Sequence, residues 1–463
     1  MANFIDPSKI EALLLKAKST PPQQITELIN KAKKLKGLSP EETAVLLECQ
    51  DQALIEQIYT AAREIKEAIY GKRLVIFAPL YISNYCANDC HYCGFRTSNK
   101  ALNRKRLSID EIIGEVEAME EEGHKRILLL AGEDAVGGSI ENLEKVIPAI
   151  YATKKGHGEI RRLNVNVAPM SVEDFKRLKK TGIGTYQLFQ ETYHPDTFRA
   201  MHPSGPKADY LNHLTAMHRA MEAGINDVGI GVLFGLHDFK FEVLALLFHA
   251  LELERQFGVG PHTISIPRIE PAFNTPLADN PPAKVSDEDF KKLVAILRLA
   301  VPYTGIILST RESAQMRNQL FGLGVSQISA GSRTNPGGYQ AAKQGNTDAA
   351  QFSLNDDRTL LEVIKDIAKM GYSPSFCTAC YRLGRTGKDF MDLAKPGLIQ
   401  EYCLPNSLFT FKEYLLDYAD DETRKLGEQV IIQQLANIKN KTRQIKAKEI
   451  LQSIETGRRD LCL

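Results

Sequence analysis

Six of the eight cysteines fall into two tight groups, and those groups are where this sequence can do chemistry. The first is Cys86-Ala-Asn-Asp-Cys90-His-Tyr92-Cys93, a C-x3-C-x2-C loop directly behind the apolar run Leu74–Ala78. Three thiolates can hold three irons of a 4Fe–4S cubane and leave the fourth iron open to an exchangeable ligand. An electron-transfer cluster normally has four protein ligands, so a missing fourth points to chemistry at that iron. Zinc is the competing occupant, but it wants four ligands and usually paired C-x2-C knuckles. The second group is Cys377-Thr-Ala-Cys380 with Cys403 after a 22-residue spacer, again three thiols. A zinc site completed by histidine is the alternative there. No histidine follows His262, which favours a second iron–sulfur cluster with an open or externally ligated iron. Cys49 and Cys462 are left over and read as structural or incidental.

The first loop needs a scaffold, and the chain supplies a strict alternation from Arg73 onward. Apolar runs at Leu74–Tyr81, Arg126–Leu130, Leu163–Val167, Tyr186–Phe189, Asp227–Phe234, Thr263–Ile269, Gly305–Ser309 and Ser326–Ser329 read as strands. Between them lie helical patterns, one opened by the capping box Ser108-Ile-Asp-Glu111 and another formed by the long apolar stretch Phe241–Phe257. Eight such pairs predict an α/β fold, a closed (β/α)8 TIM barrel, with an open parallel sheet as the other possibility. A barrel puts its active site on the loops after its strands, and the first cysteine loop follows strand one. Arg311 follows strand seven and Arg333 strand eight. Either guanidinium could clamp a substrate carboxylate in a two-pronged fork, and either could equally be a surface ion pair.

Residues 1–72 read as a helical extension, with Asp6-Pro7 and Ser39-Pro-Glu-Glu42 as helix starts and Gly71 closing the run from Asp51 to Tyr70. The barrel is expected over 73–370. Residues 371–463 form a mainly helical C-terminal module carrying the second cysteine group. Lys and Arg total 58 against 57 Asp and Glu, so no global field points to nucleic acid or an anionic membrane. There is no basic-then-apolar leader and no apolar run near 18 residues, so the expected setting is cytoplasmic, reducing and anaerobic.

The C-x3-C-x2-C spacing, with Tyr92 before its last cysteine, resembles the radical S-adenosylmethionine (SAM) superfamily. That resemblance implies SAM on the open iron. It also implies cofactor contacts from Tyr92, from Gly132-Glu133 after strand two, from Gln190-Glu191 after strand four, and from Val232-Leu233 near the end of strand five. The superfamily's Gly-Gly-Glu segment has Ala131 in its first place here, and its usual arginine for the SAM carboxylate has no clear counterpart, Tyr210 lying near that position. Adding Leu188–Tyr193, Leu308–Glu312 and C-x2-C-x22-C, the chain resembles the HydG family, the tyrosine-cleaving maturases of [FeFe]-hydrogenase. The resemblance implies cleavage of the L-tyrosine Cα–Cβ bond to p-cresol and dehydroglycine. It further implies conversion of the fragment to CO and cyanide on an extra iron at the second cluster, with His262 as a ligand to that iron. Other hydrogenase maturation proteins and a ferredoxin or flavodoxin electron donor are the implied partners. Two alternatives stay open: the tyrosine lyase of thiamine thiazole synthesis, which lacks the second triad, and a non-catalytic iron–sulfur carrier. His262 immediately precedes strand six and so belongs at the barrel bottom, opposite Cys86. A strand of six or seven residues spans roughly 20 Å, so the expectation is an internal channel with a polar wall.

Overall fold

A computed structural model describes residues 3–345 and 350–463. Eight parallel strands close into a barrel: β1 (Arg73–Ser83), β2 (Arg126–Ala131), β3 (Arg162–Asn166), β4 (Tyr186–Gln187), β5 (Val228–Gly231), β6 (Thr263–Ser265), β7 (Gly305–Leu308) and β8 (Gln327–Ser329), with β1 pairing both β2 and β8. Helices cover the outside and every strand is buried over most of its length, as an all-parallel sheet requires. The helix Gln52–Tyr70, capped by Asp51 and ended by Gly71 at φ +64°, packs against the helix Asp287–Ala300. The N-terminal extension is thereby fixed to the barrel wall. Both capping boxes, at Ser39/Glu42 and Ser108/Glu111, are formed.

Several strands are shorter than the apolar runs that contain them. β6 stops at Ser265 because Pro267 has no N–H to give a neighbour. β4 stops at Gln187, yet Leu188 and Gln190 still donate to Gly229 and Gly231, so the edge continues irregularly to the site. Between β4 and β5 the helices Tyr210–Leu214 and Ala216–Glu222 are separated at Thr215, whose hydroxyl turns back to the Leu211 carbonyl. A ninth strand, β9 (Ser373–Ser375), was not foreseen. It pairs with Arg73–Val75, the lower end of β1, below the level at which β2 begins. That unpaired stretch of β1 offers backbone groups needing partners, and a three-residue strand is enough to satisfy them. At the upper end, a register shift between Tyr81 and Ser83 lets β1 turn out of the sheet just before Cys86.

The barrel interior is mixed in character. Phe77, Leu128 and Ile307 pack as an apolar cluster. Gln187, Gly229, Thr263 and Gly305 lie in register over β4 to β7, the last on the same strand as Ile307. A side chain on Gly229 would collide with Thr263 and Gln187, and one on Gly305 with Gln327, so the glycines leave room for the neighbouring polar groups. The barrel wall thus carries both polar and apolar stretches, Gln187, Thr263 and Gln327 in the one and Phe77, Leu128 and Ile307 in the other. Among the described residues no helix is long and apolar enough to cross a membrane.

Candidate active site and second cysteine centre

The loop after β1 carries Cys86, Cys90 and Cys93 into a cavity of about 220 Å³ at the C-terminal mouth of the barrel. The cavity is also lined by Tyr92, Gly132, Glu133, Glu191, Leu233 and Arg311. Gly132 sits directly under the loop. A Cβ there would lie 2.2 Å from the Tyr85 carbonyl oxygen, so the close approach of two backbones demands glycine. Glu133 holds the loop from the other side: its carbonyl accepts from Ala87 N at 2.9 Å and its carboxylate from Asn88 Nδ2 at 2.5 Å. Asp134 takes a two-pronged Arg106 at 2.7 Å and the Ser83 hydroxyl at 2.7 Å. Burial opposes the Asp134 charge, but Arg106 and Ser83 outweigh it and hold the carboxyl down to about 2.

Glu191 faces Lys207, Nζ to carboxylate 2.7 Å. Burial works against the Lys207 charge, yet Glu191 and the nearby Cys90 raise its pKa above the usual lysine value. Tyr92 is tied to His202, hydroxyl to Nε2 2.8 Å. Arg311 is a half-buried cation whose guanidinium lies over the Phe352 ring at 3.3 Å, with Tyr81 and Glu191 among its neighbours. Gln351 links Tyr81 to the loop, accepting from the tyrosine hydroxyl at 2.7 Å and reaching Cys93 Sγ at 3.6 Å.

Three of the sequence-chosen residues do not line this cavity. Val232 is fully buried and pairs with Glu191 through the backbone. Gln190 is buried behind it with Nε2 unpartnered. Arg333 bonds the Ser332 carbonyl and faces Glu122, away from the mouth. Lys207, Asn88 and Gln351 went unnoticed in the sequence. Lys207 and Gln351 arrive on distant loops, Asn88 stands inside the cysteine loop itself, and nothing in their local spacing marks them.

At the opposite end, Cys377, Cys380 and Cys403 line a second cavity of about 50 Å³ together with His262. Cys377 follows β9, Cys380 sits on the short helix Ala379–Arg382, and Cys403 lies in the first turn of the helix Gln400–Asp417. Arg73 and Arg126 also line it, each with its buried Nε unpartnered, and Arg126 Nη1 donates to the Cys377 carbonyl at 2.6 Å. A hydrogen bond from Cys380 pulls the Cys403 thiol down, against burial, and Arg73, Arg385 and Arg126 favour its thiolate further. His262 Nε2 meets the Tyr381 hydroxyl at 3.0 Å, and its Nδ1 lies 3.7 Å from Asp227. Burial lowers the His262 pKa and keeps the ring neutral, the form that binds metals. The two cavities share no lining residue.

Residues 80–248 match the family model of the Radical SAM superfamily, and residues 265–373 that of the Biotin and Thiamin Synthesis associated domain. A crystal structure of HydG, a maturase of the [FeFe]-hydrogenase, is 54% identical, covers 100% of both chains and superimposes with a TM-score of 0.96. The chain belongs to the HydG family. HydG from Carboxydothermus hydrogenoformans is 43% identical over 96% of this chain and 97% of its own, with a TM-score of 0.84. The 2-iminoacetate synthase of Escherichia coli is 30% identical over 78% of this chain and 92% of its own.

HydG-family membership in the radical SAM superfamily implies a 4Fe–4S cluster and SAM. The residues of the upper mouth fit them. Cys90 and Cys93 are pushed up by burial and by their neighbouring thiols, a repulsion that iron ligation relieves. Among the described residues no three His, Cys, Asp or Glu side chains converge tightly enough for a single metal ion. Both triads instead open onto cavities.

Proposed function

We propose that this HydG-family protein cleaves the Cα–Cβ bond of L-tyrosine and carries the amino-acid fragment on to CO and cyanide, bound to an iron for the [FeFe]-hydrogenase active site. The observation that carries this reading is the pair of three-thiol cavities at opposite mouths of one barrel, the second with an imidazole facing it. A cluster on Cys86, Cys90 and Cys93 with SAM supplies a hydrogen-abstracting radical. Glu133 and Glu191 offer carboxylates to the cationic and hydroxyl parts of SAM, and Lys207 offers a cation where its carboxylate needs one. Arg311 faces the same cavity and holds the tyrosine carboxylate. Tyr92 and Leu233 wall the cofactor and keep water from the radical.

Cys377, Cys380 and Cys403 hold a second cluster, with His262 on an additional iron. Arg73 and Arg126 offset the negative charge that thiolate-bound iron brings into a buried site. Passage between the mouths runs along the polar seam of Gln187, Thr263 and Gln327. The likeness to 2-iminoacetate synthase favours tyrosine cleavage equally, while the second triad favours hydrogenase maturation over thiazole synthesis. Residues 73–370 and 371–463 divide the work as barrel and auxiliary module, in a reducing compartment with a ferredoxin or flavodoxin as electron source.

Anaerobic incubation of reconstituted protein with SAM, dithionite and tyrosine tests the reading. p-Cresol with CO is expected. p-Cresol without CO would assign the thiazole pathway, and no SAM cleavage would leave an iron–sulfur carrier.

A further inference from the structure

Glu191 has a backbone that its residue type does not choose. Its φ is +67°, in the left-handed region that favours glycine. The Glu191 carbonyl accepts from Leu233 N at 2.9 Å, and Thr192 N turns back to the Gln190 carbonyl at 2.9 Å. Something must hold this kink, and a buried carboxylate lies directly behind it. Glu242, in the first turn of the helix Phe239–Phe257, is 1% exposed and outside the cavity lining. It accepts from the Thr192 hydroxyl at 2.5 Å and from Tyr193 N at 2.9 Å. Thr192 and Tyr193 are completely buried, and Tyr193 is pinned further by the Tyr210 hydroxyl on its carbonyl and by His249 Nδ1 at 2.7 Å from its own hydroxyl.

We propose that Glu242 is a positioning residue for SAM: through Thr192 and Tyr193 it locks the kink that aims the Glu191 carboxylate into the upper cavity opposite Lys207. A carboxyl buried without a cation in contact is costly, and burial pushes this one up to about 8. An apolar residue would fill the same space more cheaply, but it could not accept two hydrogen bonds from consecutive residues. The inference rests on Glu191 touching SAM, so its test includes a variant of Glu191 itself.

Equilibrium dialysis of SAM and of tyrosine against cluster-reconstituted protein reads the effect without turnover. Glu242→Leu removes both acceptors at a similar side-chain volume. Thr192→Val removes the shared hydroxyl at nearly constant volume, and Thr192→Ser restores it. Glu242→Leu and Thr192→Val should each weaken SAM binding about tenfold. Tyrosine binding should stay within about twofold in both variants, and Thr192→Ser should bind SAM like the parent protein. Wild-type SAM affinity in Thr192→Val, alongside weakened binding in Glu191→Gln, overturns the role of Glu242. Wild-type affinity in Glu191→Gln instead overturns the assignment of Glu191 to SAM. Equal weakening for SAM and tyrosine, or in Thr192→Ser as well as Thr192→Val, also overturns the proposal, since it marks general loosening of the fold.

Discussion

Lys207 is the side chain whose removal should say most about the upper cavity. It pairs with Glu191 at 2.7 Å in a buried setting. Lys207→Gln would leave that carboxylate uncompensated, a loss worth about 1–3 kcal/mol. SAM affinity in that variant should fall about tenfold or more, measured by equilibrium dialysis, while Lys207→Arg keeps most of it. The thiols divide differently. Cys86→Ala should abolish SAM cleavage, whereas Cys377→Ala or Cys380→Ala should leave p-cresol formation largely intact and stop the iron carbonyl product. Loss of p-cresol in a folded Cys377 variant would contradict separate tasks for the two triads. The cysteines are legible because Cys86, Cys90 and Cys93, like Cys377 and Cys380, stand three or four positions apart, and Cys403 joins the second group across a 22-residue spacer. Lys207 and Asn88 are not, because their meaning lies in what touches them across loops more than a hundred residues from some of their partners.

Strands and loops show the same contrast. Each of the eight barrel strands overlaps the apolar run that announces it, with β1, β2 and β3 reaching one or two residues beyond, since burial on both faces writes a continuous signal. Their ends were misjudged wherever a proline or a kink, as at Pro267 and Glu191, cuts the ladder without changing hydropathy. β9 escaped notice because three residues, one of them Pro374, carry no periodicity, and only the bare lower end of β1 makes a strand of them. Gly132 is the element-level test. Placing a methyl group 2.2 Å from Tyr85 O must push the cysteine loop away. Gly132→Ala should therefore cost about 1–3 kcal/mol and reduce cluster incorporation at the upper triad. Iron content and the visible absorption of the reconstituted variant report this, and full incorporation would show that the loop has slack.

The barrel as a whole also buries histidines it cannot charge. His124, His213 and His249 are completely enclosed, and burial pushes each down to about 3. Their unfolded value is about 6.5, so between these limits the unfolded chain takes up protons that the folded chain refuses. Stability present above pH 6.5 is thus lost as pH falls, by up to about 1.4 kcal/mol per unit for each ring. Glu120 and Glu242 are displaced the other way, to about 7 and 8, and contribute stability that is lost as pH rises through those values. Below about pH 4.5 both glutamates are protonated folded or unfolded, and the histidines act unopposed. The thermal midpoint of cluster-free protein should fall steeply there, and a flat acid limb in circular dichroism would contradict it.

β1 runs eleven residues from the second triad to the first. Its foot carries the strand that leads to Cys377, and its tip becomes the loop of Cys86. One beam therefore supports both workshops. Gripping metal at the foot should damp the strand along its whole length, and slower amide exchange at its tip after loading of only the lower thiols would be the mechanical signature.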